Sequence, residues 1–367
     1  MIKFSKHNIK NSHLKEITKI IKSGWLTHGK NSKKFEEQFK KYTGSKYAIT
    51  VSSCTAGLHL SCIASNFKKG DEVLVPSMSH TATSHAVEYT GAKAVFVDVN
   101  FPDGNINVSQ INKFINKKTK GIIVVHMAGK PVEIAKIKKI CEKYKLVLIE
   151  DCAHSLGSRY NNQHVGNYGL SGSFSFYPTK QITTGEGGMV ITNNKTFYKK
   201  ILKLKAFGID KDINDRKLPG KYNVKTLGYN YRMTDFQAYM GLRQLEDYTN
   251  NLKKRHKIAK RYIKNFENNK KIIFPNYDKN CSYFVFQIFV KNRNLILKKL
   301  VKKKIGVSVH YMMPLHKMGY YKKKNKSKNK HLKNSSTYGN MNLSLPVYPK
   351  LKISEVDYIC ESIKKLI

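Results

Sequence analysis

Apolar and polar positions along the first half of the chain follow two alternating rhythms. Residues 8–24 place Ile9, Leu14, Ile17, Ile20 and Ile21 mostly three or four apart before Gly24, the period of an amphipathic helix with a stop. A second helix is predicted over 32–42, with Phe35 and Phe39 on one face. Short solid apolar runs then alternate with helical ones. Strands are predicted at 47–51, 70–76, 94–98, 121–125 and 146–150. Helices are predicted through Leu58, Leu60 and Ile63, and over 83–89, 108–115 and 132–144. Strand and helix alternating at this spacing predict an α/β fold, a parallel sheet with crossover helices on its faces. Ligands of such sheets gather at the carboxyl ends of the strands.

Beyond residue 228 the rhythm loosens. GYNYRMTDFQAYMGLRQL starts irregularly and runs into a helix with Ala238, Leu242 and Leu245 on one face, and a lysine-rich helix is predicted over 251–266. Strands at 283–290 and 307–311 and a terminal helix over 355–367 predict a smaller α+β part. The expected division is a large domain over 1–250 and a small one over 251–367. KKKNKSKNKHLK, residues 322–333, reads as a solvated, mobile loop.

Composition narrows the class. The chain has 367 residues, enough for a large core, and 40% of them are hydrophobic, as in soluble globular proteins. No apolar run approaches the length that spans a bilayer, and MIKFSKHNIKNSH lacks the apolar segment of a secretory signal, so a cytoplasmic protein with no membrane partner is expected. Cys54, Cys62, Cys141, Cys152, Cys281 and Cys360 are scattered without ligand spacing, which predicts no metal site and no disulfide framework. A net charge of +44 raises nucleic acid as a partner. The charge is nearly all lysine dispersed among asparagine and isoleucine, a compositional bias rather than a binding stripe, and no specific nucleic-acid binding is expected.

Among so many lysines, Lys180 has surroundings that look chosen. In SGSFSFYPTKQITTGEGGMVITNN, residues 171–194, it follows a strand-like alternation and precedes a glycine-rich turn and a second strand-like run. A lysine held there suits an amine that must reach one fixed carbonyl carbon, as in Schiff-base chemistry. Asp151 stands at a predicted strand end beside Glu150. It either caps the following turn or holds a proton on a pyridine nitrogen. His154 follows three residues later, placed to lie beside a ring. Ser52, Ser53, Cys54, Thr55 and Ala56 turn a strand into a helix, which makes either an ordinary N-cap or a phosphate seat.

Taken together, LTHGK at Leu26, SSCTAGLHL at Ser52, GDEVLVPSMSHTATSHAV at Gly70, AVFVDV at Ala94, IEDCAHSLGS at Ile149, the Lys180 segment, GYNYRMTDFQA at Gly228, VHYMMPLH at Val309 and LSLPVYP at Leu343 resemble, in this order, the DegT/DnrJ/EryC1/StrS sugar-nucleotide aminotransferases. The resemblance covers nearly the whole chain. It implies a fold-type I transferase dependent on pyridoxal 5'-phosphate, with a mainly parallel sheet flanked by helices and a smaller C-terminal α+β domain. Lys180 would bind the cofactor as a Schiff base and Asp151 would face the pyridine nitrogen. Thr55, Ala56 and Ser175 would hold the phosphate, His154 the 3-oxygen, and His80 would lie against the ring. The family's active site lies between two subunits of a homodimer, which carries Asn230 over as a phosphate contact from the partner. Trp25, Thr27, His28, Gly29, Arg232, His310 and Tyr311 would line the sugar pocket, although a helix stop and a domain-edge strand account for several of them equally well. The implied reaction moves an amine from L-glutamate to a 4-keto-6-deoxy nucleotide sugar, UDP-linked by the likeness of LTHGK, SSCTAG and AGKPVEI to aminotransferases of bacterial surface-glycan pathways.

Two other readings compete. Sugar dehydratases of the same fold replace the lysine with histidine or use an iron–sulfur cluster; Lys180 and the cysteine spacing place transamination ahead of them. A non-catalytic regulatory or nucleic-acid-binding relative would show a helix-turn-helix or aromatic–basic interleaving, and neither is present.

Overall fold

The computed structural model describes residues 1–211, 218–324 and 332–367. In chain order the first part comprises α1 (Asn11–Lys22), α2 (Lys30–Thr43), β1 (Tyr47–Val51), α3 (Cys54–Ala64), β2 (Glu72–Pro76), α4 (Thr81–Glu88), β3 (Lys93–Val97), α5 (Val108–Ile111), β4 (Thr119–Val125), α6 (Ile134–Tyr144) and β5 (Val147–Asp151). A small hairpin, β6 (Arg159–Tyr160) and β7 (Gln163–His164), precedes β8 (Ser171–Ser175), β9 (Gly188–Thr192) and α7 (Lys195–Leu204). There follow α8 (Asp235–Glu246), α9 (Tyr248–Phe266), β10 (Phe286–Phe289), α10 (Arg293–Lys302), α11 (Gly319–Lys324), α12 (Lys333–Met341), β11 (Asn342–Leu345) and α13 (Ile353–Lys364).

Seven strands form one sheet in the order β1-β9-β8-β5-β4-β2-β3. The run from β8 to β3 is parallel, and β9 is antiparallel to both its neighbours. Successive residues of a strand point to opposite faces. Ile123 and Ile149 therefore pack under α3 and α4, while Ile122, Val124 and Leu148 pack against α6. Likewise Val190 meets α3 and α7, whereas Met189 and Ile191 meet α2 and α8. A separate core joins Ile258, Ala259 and Tyr262 of α9 to Val356, Ile359 and Ile363 of α13 and to the β10–β11 pair, and Ile2 belongs to it as well.

Several expectations change. Residues 307–311 are not a strand; only Ser308 makes a bridge, to Ser344. Side chains there take the backbone groups a strand would use: Asn342 Oδ1 accepts from the His310 amide, Asn342 Nδ2 donates to the Tyr311 carbonyl, and Gln287 donates to the His310 carbonyl. The strand expected over 283–290 is confined to β10, because Tyr283 is in the left-handed region at φ 45°. The helix expected over 108–115 is one α turn continued by a 3₁₀ turn. Of the loop expected over 322–333, residues 325–331 lie outside those described, and its flanks are the end of α11 and the start of α12. No helix among the described residues is long and apolar enough to cross a membrane.

Candidate active site

The carboxyl ends of β5 and β8 and the N-terminus of α3 meet at one place, and Lys180 is brought to it by a loop closed on itself. Phe176 accepts at its carbonyl from the Thr184 amide at 2.9 Å, and its own amide donates to the Gly187 carbonyl at 2.9 Å. The Lys180 amide donates to the Tyr177 carbonyl at 2.9 Å. Gly185, at φ 79°, takes the turn that a side chain would strain. At Gly188 an added Cβ would stand 2.5 Å from the Ser53 carbonyl carbon, so only glycine lets β9 pass this close to the start of α3. The lysine loop and the helix N-terminus are thus one packed unit.

The Lys180 amine lies 4.5 Å from the centre of the Phe284 ring. Burial lowers its pKa to about 8, against the opposing pull of Cys54 and Asp151. Asp151, at the end of β5, is buried; its Oδ1 accepts from the Ala153 amide at 3.0 Å and its Oδ2 from the Thr83 hydroxyl at 2.8 Å. The Cys54 thiol points at the same carboxylate at 3.8 Å and at the Ser173 carbonyl at 3.3 Å. Asp151 bonds the following turn, as the cap reading expects, and its buried carboxylate has no ion pair among the described residues.

His154 stacks on the Phe284 ring, centroids 4.5 Å apart and 14° from parallel. Its Nε2 is 3.2 Å from the Tyr311 hydroxyl, and its Nδ1 is buried with no partner. Burial and the nearby Lys180 hold its pKa well below the usual histidine range, so the ring is neutral. Gln181 and Ser282 both donate to its carbonyl, at 2.6 and 3.1 Å. His80 caps α4, Nδ1 accepting from the Ala82 amide at 3.2 Å, and its ring meets Tyr311 edge-on at 5.7 Å. At the start of α3 the Ser53 hydroxyl accepts from the Ala56 amide at 3.0 Å, so the cap reading is realised, and among the described residues no hydrogen bond leaves the Cys54 or Thr55 amide. Ser175 ends β8 just before the lysine loop.

His310 borders the site, its ring edge-on to Phe284 at 5.3 Å and to His154 at 6.0 Å, while the remaining expected residues lie in other segments. His310 stacks on Phe4 at 5.8 Å and its Nδ1 lies 3.0 Å from the Ser344 hydroxyl. Trp25, Thr27, His28 and Gly29 lie between α1 and α2; the Trp25 indole donates to the His28 carbonyl at 3.2 Å, and Trp25 and Gly29 line an open groove with Asp235 and Arg243. Asp235 holds the start of α2 through the Asn31 and Ser32 amides. Asn230 is exposed, Arg232 lies over the Phe207 ring at 5.1 Å, and Tyr231 between them accepts from the Ser52 amide at 2.8 Å, so this segment runs past the approach to α3.

Sequence reasoning missed Thr83, Phe284 and Gln181, and named Cys54 only within the candidate phosphate seat rather than beside Asp151. Gln181 had a signal, since it adjoins Lys180; the others touch the site through contacts between distant segments. Glu150 is no part of it. Its carboxylate accepts from the amides of Gly166, Tyr168 and Gly169 and from His126 Nε2. His126 Nδ1 accepts from the Val132 amide, so this buried cluster, which also includes Cys152, has its histidine and carboxylate fully engaged in structural bonds.

The residues present fit pyridoxal phosphate. A buried carboxylate without a cation among the described residues suits a protonated ring nitrogen, the unpartnered Nδ1 of His154 suits a ring oxygen, the first amides of α3 suit a phosphate, and Lys180 supplies a low-pKa amine. Comparison with known proteins agrees. The family model of the DegT/DnrJ/EryC1/StrS aminotransferases matches residues 7–364. The chain is 35% identical over 357 residues to GDP-perosamine synthase of Escherichia coli O157:H7, covering 95% of this chain and 94% of that protein. It is 33% identical over 373 residues to UDP-4-amino-4,6-dideoxy-N-acetyl-beta-L-altrosamine transaminase of Campylobacter jejuni, covering 99% and 96%. The solved PLP-form of Spr1654 from Streptococcus pneumoniae superposes with a TM-score of 0.92 at 29% identity, covering 100% of this chain and 98% of that one. This chain therefore belongs to the DegT/DnrJ/EryC1/StrS aminotransferase family, whose cofactor is pyridoxal phosphate.

Proposed function

We propose that the protein acts in the cytoplasm and moves the amine of L-glutamate to C4 of a nucleotide-linked 4-keto-6-deoxy sugar, UDP-linked, for a bacterial surface polysaccharide. The observation that carries this reading is the low-pKa amine of Lys180 in the field of the buried carboxylate of Asp151, which has no ion pair among the described residues, beside the N-terminus of α3. When bound, the cofactor supplies an aldehyde that captures an amine and a ring that takes up an electron pair. Lys180 would hold it covalently; once released by the incoming amine, its amine, with a pKa of about 8, would move the proton from the donor's α-carbon to the carbon that had carried the aldehyde. Asp151 keeps a proton on the ring nitrogen, and Thr83 fixes the carboxylate for that task. With the Tyr311 hydroxyl donating to Nε2, neutral His154 carries its proton on Nδ1 and donates to the ring oxygen. Thr55, Ala56 and Ser175 hold the phosphate, and His80 lies against the ring.

The same reading places Trp25, Thr27, His28, Gly29, Arg232, His310 and Tyr311 at the sugar and makes the enzyme a homodimer, with Asn230 reaching the partner's phosphate. What supports the dimer is uncovered apolar surface: Leu14 and Ile21 of α1, Trp25 and Leu26 after it, and Leu227 are all exposed. A GDP-linked substrate is the second reading, favoured by the 35% identity to GDP-perosamine synthase. Incubating the holoenzyme with glutamate and a panel of UDP-, GDP- and TDP-linked 4-keto sugars tests both. Turnover confined to GDP or TDP sugars discards the UDP preference. Turnover of none of them, or a Lys180→Ala protein that keeps both activity and the visible cofactor band, discards the proposal.

A further inference from the structure

We propose that Ser79 is a positioning residue for Asp151, acting through the Thr83 hydroxyl, an inference that rests on the reading of Asp151 as the group facing the cofactor's ring nitrogen. Several helix hydroxyls of this chain turn back on the preceding backbone. Thr43 donates to the Phe39 carbonyl at 2.8 Å, Ser61 to the Gly57 carbonyl at 2.8 Å and Ser84 to the Thr81 carbonyl at 3.1 Å. Thr83, next to Ser84 in α4, does not. Its hydroxyl donates to Asp151 Oδ2 at 2.8 Å, and its oxygen lies 2.7 Å from Ser79 Oγ. An ionised carboxylate only accepts, so the single Thr83 proton points at Asp151. The proton of Ser79 must then carry the contact between the two hydroxyls. The relay runs one way, from Ser79 to Thr83 to Asp151, and joins the segment after β2 to the end of β5 across β4, the strand between them.

Helix capping does not account for Ser79. His80 caps α4, its Nδ1 accepting from the Ala82 amide at 3.2 Å and its carbonyl from the Thr83 amide at 3.2 Å. Among the described residues the Ser79 hydroxyl bonds Thr83 alone. Both hydroxyls are buried, Ser79 at 2% and Thr83 at 0% exposure, so water does not compete with the relay and each bond polarises the next. Oδ1 of Asp151 has a fixed donor in the Ala153 amide at 3.0 Å, whereas Oδ2 depends on a hydroxyl, whose proton can rotate. A Thr83 oxygen that already accepts from Ser79 keeps its own proton in line with the carboxylate. When the cofactor is bound, Asp151 and the ring nitrogen compete for one proton. Donors that hold the carboxylate lower its basicity, so the proton stays on the nitrogen and the ring remains able to take up an electron pair.

The ring nitrogen itself reports the effect and separates this role from a structural one. Holoenzymes of wild type, Ser79→Ala, Thr83→Val and the double variant are prepared with pyridoxal phosphate carrying the heavy isotope at the ring nitrogen. The chemical shift of that nitrogen is read by NMR, beside kcat and KM. In Ser79→Ala the shift is expected to move from the wild-type position toward that of an unprotonated pyridine. There kcat is expected to fall about threefold to tenfold, with KM for amino donor and keto sugar within about twofold of wild type. Adding Ser79→Ala to Thr83→Val is expected to cost less than about twofold more, because the relay passes through Thr83. An unmoved shift in Ser79→Ala, with or without a fall in kcat, overturns the inference, and so does a loss that multiplies in full with that of Thr83→Val. If Ser79→Ala does not fold, a neutron structure of the wild-type holoenzyme decides: a Ser79 deuteron on the Thr83 oxygen supports the relay, and one directed elsewhere refutes it. A wild-type ring nitrogen that carries no proton overturns the reading of Asp151 instead.

Discussion

Replacing Glu150 by glutamine keeps the shape of the side chain and tests what holds the end of β5 in place. Oε1 accepts from the Tyr168 and Gly169 amides, each at 2.8 Å, and Oε2 from the Gly166 amide at 2.7 Å and from His126 Nε2 at 3.1 Å. An amide has one oxygen, so in either orientation its NH₂ faces two N–H donors. Reversing the His126 tautomer does not help, because Nδ1 must then stop accepting from the Val132 amide. Two buried donors are left unsatisfied, at about 1–3 kcal/mol each, a destabilisation of roughly 4 kcal/mol. Urea unfolding followed by circular dichroism measures it, with the slope checked for constancy. The carboxylate is held below its ordinary pKa of 4.5, burial opposing and His126 and the backbone amides outweighing it. A depressed native pKa stabilises above the unfolded value and is lost as pH falls through the native one, so the gap between variant and wild type narrows below about pH 4.5. A destabilisation under about 1 kcal/mol at pH 7 refutes the accounting.

The site yields further expectations. Protein stripped of cofactor should take up pyridoxal phosphate at a rate that climbs with pH and levels off with a midpoint near 8, because the Lys180 amine is neutral above its lowered pKa of about 8; a rate still climbing at pH 10 contradicts that pKa. Thr83→Val removes the hydroxyl that donates to Asp151 and keeps the branched shape, so kcat should fall about tenfold to a hundredfold with a smaller change in KM; an unchanged kcat denies Thr83 a positioning role. Tyr311→Phe frees the His154 tautomer and loosens its bond to the ring oxygen. The pH midpoint of the visible band should move up by roughly half a unit to one unit, and an unmoved midpoint shows that Tyr311 does not set the tautomer.

How far the chain could be read depended on whether a feature is local. The strands β1 to β5 and the helices between them were legible because period and burial are written into runs of five to fifteen residues, as in the apolar GIIVV of β4. Lys180 was legible from its own turn. Residues 307–311 were misread because their apolar character suits a strand, while Asn342 and Gln287 occupy their backbone groups from another part of the chain. Glu150 and Asp151 looked alike in the sequence and have opposite fates. One is consumed by four donors and the other accepts from the Ala153 amide and the Thr83 hydroxyl beside α3, since adjacent residues of a strand point to opposite faces.

From the sequence alone came the alternation that makes the sheet, the strand end bearing Asp151 and the turn bearing Lys180, because hydrophobic period and glycine chemistry act over a few neighbouring residues. Only the tertiary structure decided which groups meet there: Thr83 reaches Asp151 across 68 positions and Tyr311 reaches His154 across 157. Such contacts depend on how separately specified elements pack, and no local pattern encodes that.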